Sequence, residues 1–195
     1  MERNNFAGSK KKAASEDYLI FFADEASVSL TPFISHTYAP CGKRPAINIS
    51  MEVNSRVYLS SAVSAKGDMV YQLRDKPYDG LAIVGFLNLM LESVSGKILI
   101  IWDNASIHDC EVVRTFLSTE ERAKRLHLVK QPTYSPELNA DEQVWRHLKC
   151  VQLKNTCNRN IKELKPKLIE GLEKIKNNQY LINQFFQHQD VAYYS

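Results

Sequence analysis

Two short apolar runs in this sequence each end at an aspartate. Residues 18–23 read YLIFFA and precede Asp24, and residues 98–102 read ILIIW and precede Asp103. Both runs have the length and the unbroken β-branched and aromatic content that are typical of strands buried on both faces. Such strands occur in sheets that helices cover on both sides, so this feature limits the fold class more than any other.

The composition is that of a globular protein. Of the 195 residues, 44% are hydrophobic and 24% are charged, which provides enough apolar material for a buried core. No stretch approaches the roughly 18 apolar residues of a membrane span, and the polar start lacks the apolar segment of a signal peptide. We therefore expect a cytoplasmic protein with no membrane partner. The four cysteines form no CxxC pair, which favours reduced thiols over disulfides or a zinc site.

The order of the predicted elements indicates a mixed sheet. After the first apolar run, three segments predict strands joined as hairpins, at residues 46–53, 56–65 and 69–73. Helices and strands then alternate, at residues 78–93, 98–102, 110–117, 126–129 and from Asn139 onward. The first of these helices is predicted to turn one side to the core, formed by Leu81, Val84, Leu87, Leu91 and Val94. Hairpins followed by this alternation predict an α/β fold with helices packed on the sheet.

The chain divides into three predicted parts. Residues 1–16 form a polar lead with three consecutive lysines, which we expect to be a flexible tail. Residues 17–155 contain the predicted sheet and its helices. Residues 156–195 carry apolar residues at helical spacing and predict a helical extension, which Pro166 should kink or restart. That extension would either cover the domain or contact a second copy of the chain.

Asp24 and Asp103 lie together if the two apolar runs are neighbouring strands, because ligand sites favour the ends of strands in such sheets. Each aspartate alone has a simpler explanation as a turn former or a helix N-cap. A functional site therefore needs a third partner.

Glu142 is the candidate for that partner. Asn139 is followed three residues later by Glu142, a spacing that fits a capping box and gives the glutamate a purely structural role. A helix beginning there has an apolar side formed by Val144, Trp145, Leu148 and Val151. Its opposite ridge carries Glu142, Arg146 and Lys149. Glu142 would then belong to a solvated face, or reach a metal while the two cations meet phosphate.

Three ordered motifs together resemble a known family. Asp24-Glu25 after a strand, DNASIH at 103–108 and YSPELNADEQVWRHLK at 134–149 look like the catalytic domain of DDE transposases, specifically the mariner-like bacterial insertion-sequence group of DDE superfamily endonucleases. YAPCGKRP at 38–45 resembles another loop motif of that group. The resemblance covers about residues 18–151. It implies a ribonuclease H-like fold, with a mixed five-stranded sheet and helices on both faces.

The resemblance places the family's three metal-binding acids on Asp24, Asp103 and Glu142. Three converging carboxylates repel one another unless cations neutralise them, and hard oxygen ligands favour Mg²⁺, with Mn²⁺ as a substitute. Two such ions per site can activate a water or a DNA 3′-hydroxyl and stabilise the leaving oxygen of an in-line displacement. The implied function is metal-dependent DNA strand cleavage and strand transfer, that is, transposition, in a nucleoid-associated protein.

The sequence departs from the family in three respects. Ala140 stands where the family commonly has proline, but both suit the first position of a helix. The spacing between Asp103 and Glu142 is slightly longer than usual. The helix-turn-helix region that recognises transposon ends does not precede Asp24, so we expect a fragment, a decayed copy, or a chain that works with a separately encoded helix-turn-helix subunit.

The implied partners are transposon-end and target DNA, together with a second copy of the chain, since mariner-like relatives act as dimers on paired DNA ends. Two alternatives stay open. One is a catalytically inactive DNA-binding or assembly module derived from a transposase. The other is a nuclease of the same fold that only hydrolyses DNA.

Several further residues are candidates for supporting roles. Lys43, Arg44, Arg146 and Lys149 could contact phosphates, although each is as readily an ordinary solvated cation. Glu25, Asn104 and His108 could assist the metal-binding acids from beside them, and for His108 a helix-start or core position is the simpler explanation. Trp145 is most simply a core residue, although its ring would also suit stacking on a base.

Overall fold

A computed structural model describes residues 15–34, 36, 38–43, 46, 55–132 and 135–187. Residues 1–14, Arg44 and all but the first residue of the predicted strand at 46–53 lie outside these ranges. The predictions made for them therefore stay predictions.

The described residues contain five strands in one mixed sheet. Their bounds are β1 (Tyr18–Ser29), β2 (Arg56–Ser64), β3 (Met69–Arg74), β4 (Lys97–Trp102) and β5 (Leu126–Lys130). The strand order is β3-β2-β1-β4-β5. β1, β2 and β3 pair antiparallel, whereas β4 runs parallel to both β1 and β5. The predicted mixed five-stranded sheet is confirmed.

Six α-helices complete the described part of the fold: α1 (Gly80–Ser93), α2 (Glu111–Leu117), α3 (Glu120–Arg125), α4 (Asp141–His147), α5 (Ile161–Lys176) and α6 (Gln179–Phe185). A short 3-10 helix, Ser106–Asp109, follows β4, and a π-helical turn, Leu148–Gln152, continues α4. The sequence analysis did not predict α3. Its six residues, EERAKR, carry no apolar periodicity, and none of them is buried.

Alternate side chains of the strands face two separate helical layers, as the pleat of a strand requires. Phe22, Leu99 and Ile101 pack in one core cluster with buried side chains of α4, α5 and α6. Phe21 and Ile100 pack in a second cluster with α1 and α2. Helices therefore cover both faces of the sheet, as predicted.

β1 is longer than the sequence suggested. The prediction that it ends before Asp24 was wrong, because the strand continues to Ser29 and pairs with β2 along its whole second half, from Glu25 opposite Ser60 to Ser29 opposite Arg56. β1 pairs with β4 only as far as Phe22. Asp24 consequently lies within β1, where it still pairs with β2 but is beyond the last residue of β1 that pairs with β4.

The predicted buried side of α1 was also wrong. The structure buries Ala82, Ile83, Phe86, Leu87 and Met90, whereas Leu81 is 70% exposed. Almost every residue of this helix is apolar, so hydrophobic periodicity does not define one side. The N-cap does define the start: the Asp79 side chain accepts a hydrogen bond from the Ala82 N–H at 2.8 Å.

The apolar side predicted beyond α4 is correct for Val144, Trp145 and Leu148, which are buried, but wrong for Val151, which is 57% exposed. The π-helical turn explains the difference. Its wider spacing rotates the residues that follow Leu148 away from the direction an unbroken α-helix would give them.

The two C-terminal helices pack on the sheet. Leu164, Leu168, Leu172 and Ile175 of α5 lie on its buried side, and Phe186 contacts Phe22 with their ring centroids 5.8 Å apart. Pro166 lies inside α5, which continues through it, so the predicted restart does not occur. These contacts favour a covering role for the region, and the boundaries of the three predicted parts stay predictions. No helix in the described ranges has the length and apolar character needed to cross a membrane.

Two helical glycines differ in the space around them. A Cβ added at Gly171 of α5 would lie 2.8 Å from Leu148 Cδ1 and 3.1 Å from Gln152 Cβ, both in the π-helical turn. A Cβ added at Gly85, on the exposed side of α1, meets no described atom within 4 Å. The close packing of α5 on the π-helical turn therefore requires a glycine at position 171. No such contact requires a glycine at position 85 of α1.

We expect opposite effects from the same substitution at these two sites. Gly85→Ala should raise the free energy of unfolding by about 0.5–1 kcal/mol, because alanine has the better helix propensity. Gly171→Ala should lower it by about 1 kcal/mol, because overpacking against Leu148 outweighs that gain. Urea unfolding of the two variants beside the wild type measures both. Equal stabilisation would contradict the close approach of α5.

Candidate active site

The register of the parallel strands brings Asp24 and Asp103 to the same level of the sheet. Phe22 of β1 pairs with Ile101 of β4 as the last pair between these strands, and Asp24 and Asp103 each follow that pair by two residues. Phe22 and Ile101 belong to the same core cluster, on the side of the sheet that α4 covers. The condition on which the sequence-based argument depended, that the two apolar runs be neighbouring strands, is met, and the two aspartates lie close enough for the charge of Asp103 to act on Asp24.

Glu142 joins them from α4. Asp24 follows Phe22 by two residues and so faces the α4 layer, whereas Glu25 points to the opposite face. The pKa of Asp24 is raised to about 7. Burial is the largest cause, and the charges of Glu142, Glu25 and Asp103 add to it in that order. The three predicted acids are thus close enough to act on one another electrostatically.

Three polar contacts hold α4, and Asn139 just before it, against β1 and β2. Asn139 Nδ2 donates to the Ala23 carbonyl at 3.1 Å. Ser61 Oγ lies 2.8 and 2.7 Å from the two carboxyl oxygens of Asp141. Trp145 Nε1 donates to Asp24 Oδ2 at 3.1 Å.

The capping box predicted for Asn139 and Glu142 was wrong. The Asn139 side chain accepts a hydrogen bond from the Asp141 N–H at 3.0 Å, Ala140 takes the N-cap position, and no side-chain cap bond forms there. The Asn139 oxygen thus bonds the N–H two residues on, whereas a capping box needs the N–H of Glu142, three residues on. The Glu142 side chain is exposed, which leaves it available for a role other than capping.

Asp141 is an acid that the sequence analysis missed. It is fully buried, and burial raises its pKa well above the usual range, with the charge of Asp24 adding to the effect. Its position directly before Glu142 was the only signal in the sequence. The partner Ser61 gave no signal, because its place opposite Asp24 depends on the strand register.

His108 bridges an acid within β1 and an acid that follows β4. Its Nδ1 lies 2.9 Å from Asp103 Oδ1 and its Nε2 lies 3.1 Å from Glu25 Oε2. The ring is 6% exposed and stacks on Trp102, with the centroids 4.3 Å apart. Burial lowers the pKa of His108, but the hydrogen bonds to Asp103 and Glu25 outweigh it and raise that pKa to about 9. Hydrogen bonding from His108 in turn lowers the pKa of Asp103.

Asn104 lies beside the acids but pairs elsewhere. Its Nδ2 donates to the Gln131 carbonyl at 2.8 Å, and the Gln131 N–H donates to the Trp102 carbonyl at 2.7 Å. These two bonds tie the loop after β4 to the end of β5. Asn104 thus supports the loop that follows Asp103.

The predicted cations lie in different parts of the fold. Arg146 is exposed on α4, and Lys149 is half-buried in the π-helical turn, so both are close to Glu142 along the chain. Lys43 is exposed in the loop after β1.

The donor chemistry of the site suits a hard cation. Asp24, Asp103 and Glu142 offer carboxylate oxygens, the ligands that Mg²⁺ and Mn²⁺ prefer, and a cation would offset the repulsion that raises the pKa of Asp24. Within the described ranges, no group of three or more His, Cys, Asp or Glu side chains is already arranged to hold a metal ion.

Comparison with known proteins gives a family and a fold. Residues 19–165 match the family model described as DDE superfamily endonuclease. No curated protein sequence matches the chain.

Several solved structures of Mos1 mariner transposase share the fold. The paired-end complex with the left transposon end superposes with a TM-score of 0.59 at 13% identity over 100% of this chain and 62% of that one. The paired-end complex with Mg gives 0.61 at 14% identity over 100% and 61%. The isolated Mos1 catalytic domain gives 0.55 at 14% identity over 94% and 91%. The chain therefore spans about three-fifths of the transposase chains in the complexes and nearly all of the catalytic domain.

The structural matches confirm the ribonuclease H-like fold of transposase catalytic domains. The family match extends over most of the chain, from within β1 to within α5, and includes all three predicted acids. This protein belongs to the DDE superfamily endonuclease family.

Proposed function

We propose that this protein cleaves DNA strands and joins a DNA 3′ end to a target, as the catalytic part of a transposase. Asp24, Asp103 and Glu142 would hold two Mg²⁺ ions, or Mn²⁺ in their place. When bound, such ions activate the attacking oxygen and stabilise the leaving oxygen of an in-line phosphoryl transfer.

One observation carries the proposal. The β1–β4 register and the polar contacts of α4 assemble three acids, from distant parts of the sequence, beside one another, although their mutual repulsion opposes this. Folding stability alone gives no reason for such a cluster, whereas a site for divalent cations does. The family match and the mariner transposase fold agree with this interpretation.

The chain's own residues have distinct roles in the proposed reaction. His108 holds Asp103 by a hydrogen bond, and Glu25 anchors the other side of the same imidazole. The side chain of Arg146 projects into solvent from the helix that carries Glu142, where it would contact a phosphate of the DNA backbone together with Lys149. We further propose phosphate contacts for Lys43, which lies in the loop after β1, and for Arg44, its neighbour in the sequence.

DNA is the proposed partner, and one of the similar Mos1 transposase structures is a complex with a transposon end. Pairing of two copies on DNA, a helix-turn-helix subunit that supplies sequence recognition, and location at the nucleoid stay predictions. Each can be tested independently of the chemistry of the acids.

Asp103→Asn should abolish metal-dependent DNA cleavage. The amide keeps an oxygen that can accept from the Ala105 N–H, as Asp103 Oδ1 does at 2.9 Å, but it weakens the contact with His108, so the free energy of unfolding should fall by about 1–2 kcal/mol and the variant should stay folded. The lost charge should lower the cleavage rate about a thousandfold or more. Plasmid nicking with Mn²⁺, beside urea unfolding, measures both effects. Undiminished nicking by the folded variant would remove Asp103 from the site.

Glu142→Gln separates a metal-binding role from a structural one. The side chain is exposed, so the free energy of unfolding should stay within about 0.5 kcal/mol of the wild type. Cleavage should fall at least about a hundredfold, because the neutral amide is a poor ligand for a hard cation. Glu121→Gln, another exposed glutamate in the first turn of a helix, is the matched control and should retain full activity. Equal activity of both variants would refute the assignment of Glu142.

Strand transfer distinguishes the proposed transposase from its alternatives. With Mn²⁺, a DNA duplex bearing a pre-cut 3′-hydroxyl and a supercoiled target plasmid, the wild type should give joined products that the Asp103→Asn variant does not form. Cleavage without joining would favour a nuclease that only hydrolyses. DNA binding with neither reaction would favour the inactive assembly module.

A further inference from the structure

Trp145 links α4 to the strand that carries Asp24. Its side chain is 2% exposed, and its Nε1 donates to Asp24 Oδ2 at 3.1 Å. A buried indole usually finds a partner for its N–H, so the bond itself is ordinary. The partner is not ordinary, because it is a carboxylate of the proposed metal site.

The contacts on β1 and β2 match the geometry of α4. Asp141 and Trp145 are four residues apart and so lie on the same stripe of the helix. The residues that they contact, Ser61 and Asp24, are directly opposite each other in the β1–β2 ladder. Two residues on one side of α4 therefore contact two residues that face each other across β1 and β2. Together these contacts fix the rotation of α4 about its axis and its position along the sheet. The same contacts fix the position of Glu142, which lies between Asp141 and Trp145 in the sequence.

The other tryptophan provides a contrast. Trp102 is equally buried, but its Nε1 has no hydrogen-bond partner among the described residues. Burial of an indole in this protein thus does not by itself require that its N–H be bonded. The bond of Trp145 to Asp24 is therefore not explained by burial alone.

We propose that Trp145 is a positioning residue for metal binding: its indole N–H holds the Asp24 carboxylate and couples it to the helix that carries Glu142. The inference rests on the proposed function, since it assumes that Asp24 binds a cation. A carboxylate that binds metal is commonly oriented by a hydrogen bond from a neighbouring residue, and loss of that neighbour typically weakens metal affinity about 10- to 100-fold.

Trp145→Phe tests the proposal, because phenylalanine keeps an aromatic ring in the core and lacks the N–H. Isothermal titration with Mn²⁺ should show affinity about tenfold weaker or more than that of the wild type. Leu172→Ala is the control for general destabilisation, since Leu172 is fully buried in α5. It should lower the urea midpoint at least as much as Trp145→Phe and leave Mn²⁺ affinity unchanged.

A second measurement uses the wild-type chain and so does not depend on how the variant folds. The protein has two tryptophans, and their indole N–H groups give separate ¹H–¹⁵N resonances, assigned by Trp145→Phe. Addition of Mg²⁺ should shift the Trp145 resonance more than that of Trp102. The same titration of Asp24→Asn should leave the Trp145 resonance unchanged.

The outcomes separate this inference from the proposed function. If the wild type binds Mn²⁺ and Asp24→Asn does not, but folded Trp145→Phe binds as tightly as the wild type, the positioning role is wrong and the metal site stands. An unmoved Trp145 resonance at saturating Mg²⁺ would refute it as well. If the wild type binds neither ion, the metal site is wrong and the positioning role fails with it.

Discussion

The parallel pairing of β1 with β4 is the constraint on which the site depends. Side chains alternate between the two faces of a strand, so a slip of one residue would move Asp24 to the face that Glu25 now occupies and separate it from α4. The register is fixed by packing on both sides of the sheet, because Phe22 and Ile101 fill one core cluster while Phe21 and Ile100 fill the other. The apolar runs therefore form the core and also determine which acids lie close together.

The structure then gathers negative charge where folding alone would avoid it. Asp24 lies among Glu142, Glu25 and Asp103, and the fully buried Asp141 is directly behind it. His108 offsets part of that charge by bonding to Asp103 and Glu25, but no equivalent cation is recorded against Asp24 among the described residues. Natural sequences break local rules of stability mainly at functional sites, and the repulsion around Asp24 is such a violation.

Local patterns in the sequence predicted the sheet and the three acids, but not the contacts that orient them. The apolar runs before Asp24 and Asp103 identified β1 and β4, and periodicity identified the buried Val144, Trp145 and Leu148. Periodicity failed for α1, which is apolar on nearly every side, and beyond Leu148, where the π-helical turn changes the spacing. The Ser61–Asp141 pair could not be predicted, because it joins residues 80 positions apart that meet only through the register of β1 and β2. The bond between Trp145 and Asp24 could not be predicted for a similar reason, because it joins residues 121 positions apart, and the sequence indicated only a core position or base stacking for Trp145.

A site assembled in this way ties cation binding to the integrity of the whole fold. Asp24, Asp103 and Glu142 come from β1, the end of β4 and α4, and α4 in turn is attached to β1 and β2. A cation that binds all three acids would add a further link between these elements, and it would have no comparable site in the unfolded chain. Its binding free energy would then add to the free energy of unfolding, by about 2.7 kcal/mol at a concentration one hundred times Kd. The carboxylates whose repulsion weakens the metal-free fold would thus stabilise the metal-bound fold through their attraction to the cation.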